Sequence, residues 1–244
     1  FGNGECIRLF GSFQDISERK IAQLQLERKN SYQLSVTKII LELMNSADID
    51  ITLENIFNIM GKTVNVDRIY FFEIDENLIN GLMSCSQRVE WTNEGITTEI
   101  NNPLLQNLVL EEYQEYFLLL EKAEVISEIT SKLPPSKLKT TMESQGVKSF
   151  LFFPMFVFNK FYGFLGFDDC TSERVWSNEE VSFLSNITYH LSANIQSRLA
   201  DLEQKNILKE KNNILESIGD GFYALDANWI ITYWNKQAEV TLNK

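Results

Sequence analysis

Hydrophobic residues recur at three- and four-residue steps in the N-terminal part of the chain, which is the spacing of amphipathic helices. The first such stretch runs from Ser17 to residue 44 without a glycine or proline and predicts one long helix. A second helix is predicted from Thr52, which is placed to cap it. The apolar stripe of this second helix consists of Leu53, Ile56, Phe57 and Met60.

A further long helix is predicted near the C-terminus, where Ser177 and Glu180 have the spacing of a capping box. Its inward-facing positions are Val181, Leu184, Ile187, Leu191 and Ile195. No helix breaker occurs before Gly219, so this helix is expected to have about 40 residues and a length of roughly 60 Å. Seven-residue steps such as Ile207 to Ile214 favour a two-stranded coiled coil.

The middle of the chain changes to β-branched and aromatic runs, which predict strands. Residues 68–74 and 82–91 predict a hairpin, and residues 125–129 predict a short strand. Residues 148–156 and 161–168 predict a second hairpin, whose first strand is apolar on both faces and is expected to be central. Between the hairpins lies an insert, residues 101–146, with helical spacing over residues 108–120 and a short helix between Pro134 and Gly146.

Composition and charge narrow the class of protein. The hydrophobic fraction of 44% and the charged fraction of 23% are typical of a soluble globular protein. The net charge of -12 disfavours nucleic acid as a partner. No apolar run reaches the ~18 residues of a membrane span, and no secretory leader follows Phe1, so we expect a cytoplasmic protein without membrane insertion.

The three cysteines, Cys6, Cys85 and Cys170, are far apart and form no C-x-x-C motif, and the chain has one histidine. This pattern favours reduced thiols and predicts no metal site.

The order of elements and three sequence runs resemble the GAF family over residues 36–199. The runs are G-V-K-S-F-L-F-F-P-M from Gly146, G-F-L-G-F-D from Gly163 and W-S-N-E-E-V-S-F-L from Trp176. Gly163 and Gly166 are expected to allow close approach of neighbouring groups. The resemblance implies an α+β fold, GAF-like and PAS-related, with a six-stranded antiparallel sheet, helices on its faces, and long N- and C-terminal signalling helices.

The two ends of the chain resemble parts of PAS domains. Residues 6–20 are similar to the closing strand and exit helix of a PAS domain, and residues 214–244, with Asp220-Gly221-Phe222, are similar to its opening half. The implied organisation is a PAS remnant over 1–16, a linker helix over 17–35, a GAF domain over 36–199, a helical linker over 200–213 and part of a second PAS domain over 214–244. Because segments under ~40 residues rarely fold unaided, we expect residues 1–13 and 222–244 to be frayed or paired with a neighbouring chain.

The GAF resemblance also places a pocket between the sheet and the insert. The candidate ligand-binding residues are Trp91, Tyr113, Tyr116, Phe117, Phe150 and Phe152. Each is more often a core residue than a ligand contact, and the tyrosine hydroxyls are the best candidates for selecting a polar ligand. The resemblance leaves any cofactor unidentified.

Three specific ligand or phosphorylation chemistries lack sequence support. Asn159-Lys160, Phe164 and Asp168-Asp169 contain the residue types of cyclic-nucleotide GAF domains, but not at the corresponding elements. Residues 101–146 contain neither cysteine nor histidine, which bilin attachment would use. His190 lacks the acidic neighbour of a phosphoacceptor and is interpreted as structural.

The domain order implies a non-enzymatic sensor or relay fragment of a signal-transduction protein of the sensor histidine kinase kind, homodimeric through its terminal helices. A ligand would act by binding one conformation better than another. Two alternatives remain: a thiol-dependent free methionine sulfoxide reductase using Cys85 and Cys170, and a structural dimerisation spacer. A pocket too small or too filled for a ligand would favour the spacer.

Overall fold

The computed structural model describes Gly11 and residues 14–45, 48–75 and 81–242. The chain divides into two compact units, Phe1–Phe156 with Lys160–His190, and Val157–Asn159 with Leu191–Lys244. Residues 1–10, 12 and 13, on which the predicted fraying of the N-terminal PAS remnant falls, lie outside the described residues, as do residues 46–47, 76–80 and 243–244. Among the described residues, no helix combines the length and hydropathy that crossing a membrane requires.

A six-stranded sheet forms the centre of the first unit. Its strands are β1 (Arg68–Ile74), β2 (Ser84–Thr92), β3 (Leu108–Val109), β4 (Ile126–Ile129), β5 (Ser149–Val157) and β6 (Lys160–Asp169). The order across the sheet is β3-β2-β1-β6-β5-β4, and β1 pairs antiparallel with both β2 and β6. The predicted α+β fold with a six-stranded antiparallel sheet is confirmed. The strand β5 is interior, as predicted, whereas β1 and β6 occupy the middle of the sheet.

Six α-helices accompany the strands in the part of the chain that the structure describes. They are α1 (Ser17–Asn45), α2 (Ile49–Val64), α3 (Gln114–Glu121), α4 (Lys137–Ser144), α5 (Asn178–Glu216) and α6 (Lys236–Leu242). The capping box of α5 is present, because the Glu180 amide donates to Ser177 Oγ at 3.3 Å and the Ser177 amide donates to Glu180 Oε2 at 2.8 Å. Both predicted long helices therefore exist.

The predicted cap of α2 is wrong. Asp48 Oδ1 accepts from the amides of Asp50 at 2.9 Å and Ile51 at 3.3 Å, and it caps the helix. Thr52 lies one turn inside, where its hydroxyl donates to the Asp48 carbonyl. An aspartate carboxylate four residues earlier reaches the free amides of the first turn, so the helix begins before Thr52.

The insert is more divided than its helical spacing predicts. Leu108 and Val109 form β3, and their backbone pairs with Cys85 and Ser84 of β2. A 3-10 turn, Leu110–Tyr113, then leads into α3. The apolar spacing over residues 108–120 thus predicted buried side chains correctly. The predicted helix is wrong for the first two residues of this stretch, because a helical backbone cannot pair with a strand.

The strands bury side chains on both faces of the sheet because neighbouring residues point to opposite sides. One face carries Tyr70, Phe72, Phe150, Phe152 and Phe164, which form a continuous cluster with buried residues of the insert. The opposite face carries Ile69, Phe71, Leu151, Phe153 and Phe167, also buried. Gly61 of α2 lies directly over the Trp91 ring, to which a Cβ at Gly61 would come within 2.1 Å.

The described part of the C-terminal segment has regular structure, over residues that we expected to be frayed or paired with a neighbouring chain. Strands β7 (Tyr223–Leu225) and β8 (Ile231–Trp234) form an antiparallel hairpin that precedes α6. The side chain of Asn235 is buried, donates to the carbonyls of Ile218 at 3.2 Å and Asp220 at 2.9 Å, and accepts from the Phe222 amide at 2.8 Å. These bonds close the hairpin within the chain, and fraying of the segment in solution stays a prediction.

Candidate functional site

A cavity of about 40 Å³ lies between the insert and the Tyr70 face of the sheet, both within the first unit. Its aromatic lining consists of Tyr70, Phe72, Tyr113, Tyr116, Phe117, Phe152 and Phe164. Its aliphatic and sulfur-containing lining consists of Leu105, Leu108, Leu120, Leu138 and Met142. Its polar lining consists of Gln87, Glu90, Thr141 and Gln145.

The aromatic rings hold one another in place around Phe164. The ring centroids of Phe72 and Phe164 are 5.0 Å apart with the planes nearly parallel, and Phe152 lies 5.0 Å from the same ring. The Phe117 ring meets Phe164 edge-on at 6.0 Å. Such contacts fix ring orientations beyond the effect of burial alone, so this part of the wall is preformed.

Four of the six candidate ligand-binding residues line this cavity: Tyr113, Tyr116, Phe117 and Phe152. Phe150 is fully buried behind the lining, with its ring 4.6 Å from that of Phe152. Trp91 lies on the other side of the sheet. Its cross-strand partner is Ile69, and directly paired residues share a face, so the Trp91 ring lies beneath Gly61 of α2. Whether the four lining residues contact a ligand stays a prediction.

A β-bulge brings two further residues to the cavity that the sequence did not indicate. The register of β1 and β2 shifts between Phe71 and Phe72, so Arg88 is an additional residue in β2. Because of this insertion, Gln87 pairs with Phe72 and Glu90 pairs with Tyr70, although the two are three residues apart. Both side chains therefore reach the same face.

The polar end of the cavity is built around Arg68, whose residue surface is only 2% exposed. Its guanidinium donates to Gln145 Oε1 at 3.0 Å, to Asp168 Oδ2 at 3.4 Å and to the Thr97 carbonyl at 3.1 Å. Arg68 Nε lies 3.5 Å from Glu90 Oε1. One buried cation thus faces two carboxyl groups and links β1, β6, the loop after β2 and the end of α4. We call these four side chains, Arg68, Glu90, Gln145 and Asp168, the Arg68 cluster.

Glu90 has several donors besides Arg68. Its Oε2 accepts from the amides of Glu99 at 2.8 Å and Ile100 at 3.0 Å and from the Thr98 hydroxyl. Gln87 Nε2 donates to Glu90 Oε1 at 3.1 Å. The carboxylate is therefore well compensated although its side chain is only 1% exposed.

The other atom of the Gln87 amide lacks a donor. Because Nε2 faces the carboxylate of Glu90, the orientation of the amide is fixed and Oε1 points elsewhere. Gln87 is 4% exposed, and within the described part of the chain no group donates to its Oε1. The cavity thus has one buried, unused acceptor in its lining.

Asp168 lies opposite Arg68 in the pairing of β1 with β6 and is fully buried. Tyr70 donates to Asp168 Oδ1 at 2.9 Å, and its ring crosses Gly166, where a Cβ would come within 2.0 Å of the ring. The predicted close approach at Gly166 is thus confirmed. Burial raises the pKa of Asp168 to about 7, although Arg68 and the Tyr70 hydroxyl both favour the ionised form.

The two described cysteines are poor candidates for thiolate chemistry. Cys85 is buried on β2, and desolvation together with the charge of Asp75 raises its pKa. Burial and the charge of Asp168 raise the pKa of Cys170 to about 11. A nucleophilic thiol requires the opposite shift, toward the thiolate at neutral pH.

The remaining candidate groups lie apart from the cavity. His190 is half-buried on α5 with its ring 5.8 Å from Tyr189. Asn159 and Lys160 are exposed at the turn between β5 and β6. Across the described ranges, no group of three or more histidine, cysteine or acidic residues is arranged to hold a metal ion.

The GAF domain family model matches residues 48–195, which is more than half of the chain. The chain therefore belongs to the GAF domain family.

The chain is similar in sequence to the methanogenesis regulatory histidine kinase FilI of Methanothrix harundinacea (strain 6Ac). It is 30% identical over 219 residues, which are 89% of this chain and 24% of the relative. The chain thus spans about a quarter of the length of this histidine kinase.

Solved structures share the fold at low identity. The phycoerythrobilin-bound GAF domain of a cyanobacterial phytochrome has a TM-score of 0.56 and 14% identity, covering 71% of this chain and 98% of that one. The blue-light absorbing form of the PixJ GAF domain of Thermosynechococcus elongatus has a TM-score of 0.52 and 16% identity, covering 63% and 88%. These likenesses show the fold alone.

The raised pKa of Asp168 predicts a specific pH dependence of stability. Because the folded state holds a proton on Asp168 more tightly than the unfolded state does, this contribution is complete below about pH 4 and is lost as the pH rises through about 7. Urea unfolding at about pH 5 and about pH 8 should show a fall in the wild-type free energy of unfolding that is smaller in Asp168→Asn. An equal pH dependence in both proteins would contradict the assignment.

Proposed function

We propose that this chain is a sensor segment of a signal-transduction histidine kinase, in which the GAF cavity receives a small molecule and the terminal helices carry the response. The observation that carries the proposal is an aromatic cavity with an unused buried acceptor, enclosed between the sheet and the insert. Ligand sites are commonly apolar concavities with a few fixed polar groups. The kinase relative supports the class of the whole protein.

The two long helices meet inside the first unit. The ring of Tyr32 on α1 stacks on that of Phe183 on α5, with centroids 4.5 Å apart and planes at 16°. Arg174 donates to the Val64 carbonyl at the end of α2 and to Glu180 at the start of α5, at 2.7 and 2.6 Å. The Arg174 amide also donates to Ser149 Oγ on β5 at 3.0 Å, so a shift of the sheet would reach the first turn of α5 through groups already in contact.

The proposed mechanism is a difference in ligand affinity between two arrangements of sheet and insert. A ligand with equal affinity for both would transmit nothing.

In the proposed organisation, residues 1–16 and 214–244 belong to neighbouring PAS domains, and the protein is cytoplasmic. The alternative of a structural spacer is favoured by the small cavity volume of about 40 Å³. The two proposals differ in whether filling the cavity changes α5.

A homodimer through the terminal helices is part of the proposal. The α5 residues Ile207 and Ile214 are 58% and 59% exposed, and with Leu208 and Leu215 they form an apolar seam at seven-residue steps. A second copy of this helix would cover such a seam.

Filling the cavity tests sensing against the spacer. Leu138 lines the cavity, whereas Leu133 is equally buried in the same cluster but does not line it. We expect Leu138→Phe to cost less than about 1 kcal/mol of unfolding free energy, and Leu133→Phe to cost about 1–3 kcal/mol through overpacking. Hydrogen exchange of α5 amides should change in Leu138→Phe, as it would on ligand binding.

Two results would count against this account. Equal destabilisation by Leu138→Phe and Leu133→Phe would mean that the cavity offers no usable space. A well-tolerated Leu138→Phe whose exchange changes stay confined to the insert would favour the spacer over the sensor.

The dimer prediction concerns the apolar seam of α5. Ile207→Asp combined with Ile214→Asp should convert a dimer into a monomer, measured by sedimentation equilibrium. The matched control is Asn206→Asp combined with Asn213→Asp, which adds the same charge on the opposite side of the helix. Dissociation by the control alone, or a wild-type monomer at all concentrations, would refute the seam as the dimer contact.

A further inference from the structure

We infer that the cavity selects a small neutral molecule that carries an O–H or N–H donor on an apolar body, and that Gln87 Oε1 is the acceptor that determines this preference. The inference rests on the proposed function, since it names the chemistry of the same cavity. It is carried by the placement of Gln87 beside Glu90 in the lining and by the Gln87 Oε1 atom, which is buried and has no donor among the described residues.

The charge of the lining selects against an anion. Glu90 is the one charged group among the lining residues that the structure describes, and no lysine or arginine lines the cavity. Arg68 lies behind this surface and is already engaged by Glu90, Asp168 and Gln145. An anionic ligand would therefore lose its hydration without gaining a free cation.

The same contacts give little advantage to a cation. The Glu90 carboxylate faces Arg68 and accepts from Gln87, Thr98 and two backbone amides. The Glu90 carboxylate therefore gains little from a further positively charged partner. A neutral molecule avoids both desolvation costs and remains compatible with the aromatic walls.

The unused acceptor requires a donor. A buried acceptor without a partner is unfavourable, and a ligand O–H or N–H that reaches Gln87 Oε1 removes this cost. A ligand with only acceptor atoms would place oxygen or nitrogen against Oε1 and the neighbouring carboxylate. The lining thus distinguishes donors from acceptors of the same size.

The volume limits the size of the molecule. Because a water-sized group takes roughly 10–15 Å³ of this kind of space, a cavity of about 40 Å³ holds about three such groups. Met142 is the most adaptable lining side chain and allows modest expansion. Suitable probes are therefore molecules of about four non-hydrogen atoms.

The experiment compares propan-2-ol with acetone, which have the same heavy atoms and differ chiefly in the donor. Dissociation constants come from chemical-shift titration of the full chain, and nuclear Overhauser contacts from the probe methyl groups to the Phe117 and Phe164 rings locate binding. Xenon serves as a third probe because it reports access to an apolar cavity without hydrogen bonding. Wild-type protein should bind propan-2-ol roughly tenfold more tightly than acetone.

Two variants assign the preference to a residue. Gln87→Met removes the acceptor at similar side-chain size, and Glu90 keeps its other donors, so the fold should be retained and the tenfold preference lost. Thr141→Val is the matched control, since Thr141 also lines the cavity and its hydroxyl pairs with that of Tyr113 at 3.1 Å. The control should keep the preference. Urea unfolding of each variant verifies that it is folded.

The outcomes separate this inference from the proposed function. Equal affinity for propan-2-ol and acetone, or a preference lost in Thr141→Val but kept in Gln87→Met, overturns the role of Gln87 and leaves the cavity a ligand site. Binding of none of the three probes, xenon included, overturns the ligand site itself. A preference lost only in Gln87→Met supports both.

Discussion

The Arg68 cluster is the constraint on which the site depends. A guanidinium that is 2% exposed has a large desolvation cost, and two carboxyl groups and two further acceptors around it offset that cost. These partners come from separate parts of the chain. The hydrogen bonds to Gln145 and to the Thr97 carbonyl therefore fix where the insert and the loop after β2 meet the sheet, and the ion pairs with Glu90 and Asp168 set the polar end of the cavity.

The cluster also explains why the cavity is polar at one end and aromatic elsewhere. Arg68, Tyr70 and Phe72 alternate along β1 on one face, so the charge is followed by a hydroxyl-bearing ring and then by an apolar ring. Glycine at position 166 leaves room for the Tyr70 ring to reach Asp168. The polarity of the cavity thus decreases along its length in the same order as these side chains follow one another on β1.

The fold was largely predictable from the sequence because it follows from periodicity and capping. The two hairpins, the two long helices and the capping box at Ser177 are local patterns that need no tertiary information. The first cap was misassigned because Asp48 and Thr52 are both good cap residues, and only the geometry of the first turn distinguishes them. The helical spacing over residues 108–120 predicted burial correctly and missed the pairing of β3 with β2.

The site was predictable only in part, because it depends on register. Aromatic residues of the insert and of β5 could be placed at the cavity from the family resemblance. Trp91 could not be excluded, nor could Gln87 and Glu90 be found, without the bulge at Arg88 that changes which residues of β2 face the insert. A one-residue shift in pairing exchanges the two faces of a strand, and no local pattern in β2 reveals it.

The most direct measurement is the unfolding free energy of Arg68→Lys and Arg68→Met against the same substitutions at Arg88, whose ion pairs with Glu73 and Asp75 are half-exposed. The account predicts a loss of about 3–5 kcal/mol at Arg68, for lysine as well as methionine, because one ammonium group cannot serve four separated acceptors. The Arg88 variants should lose at most about 1 kcal/mol. Equal, small losses at both positions would contradict the central role of the buried cluster.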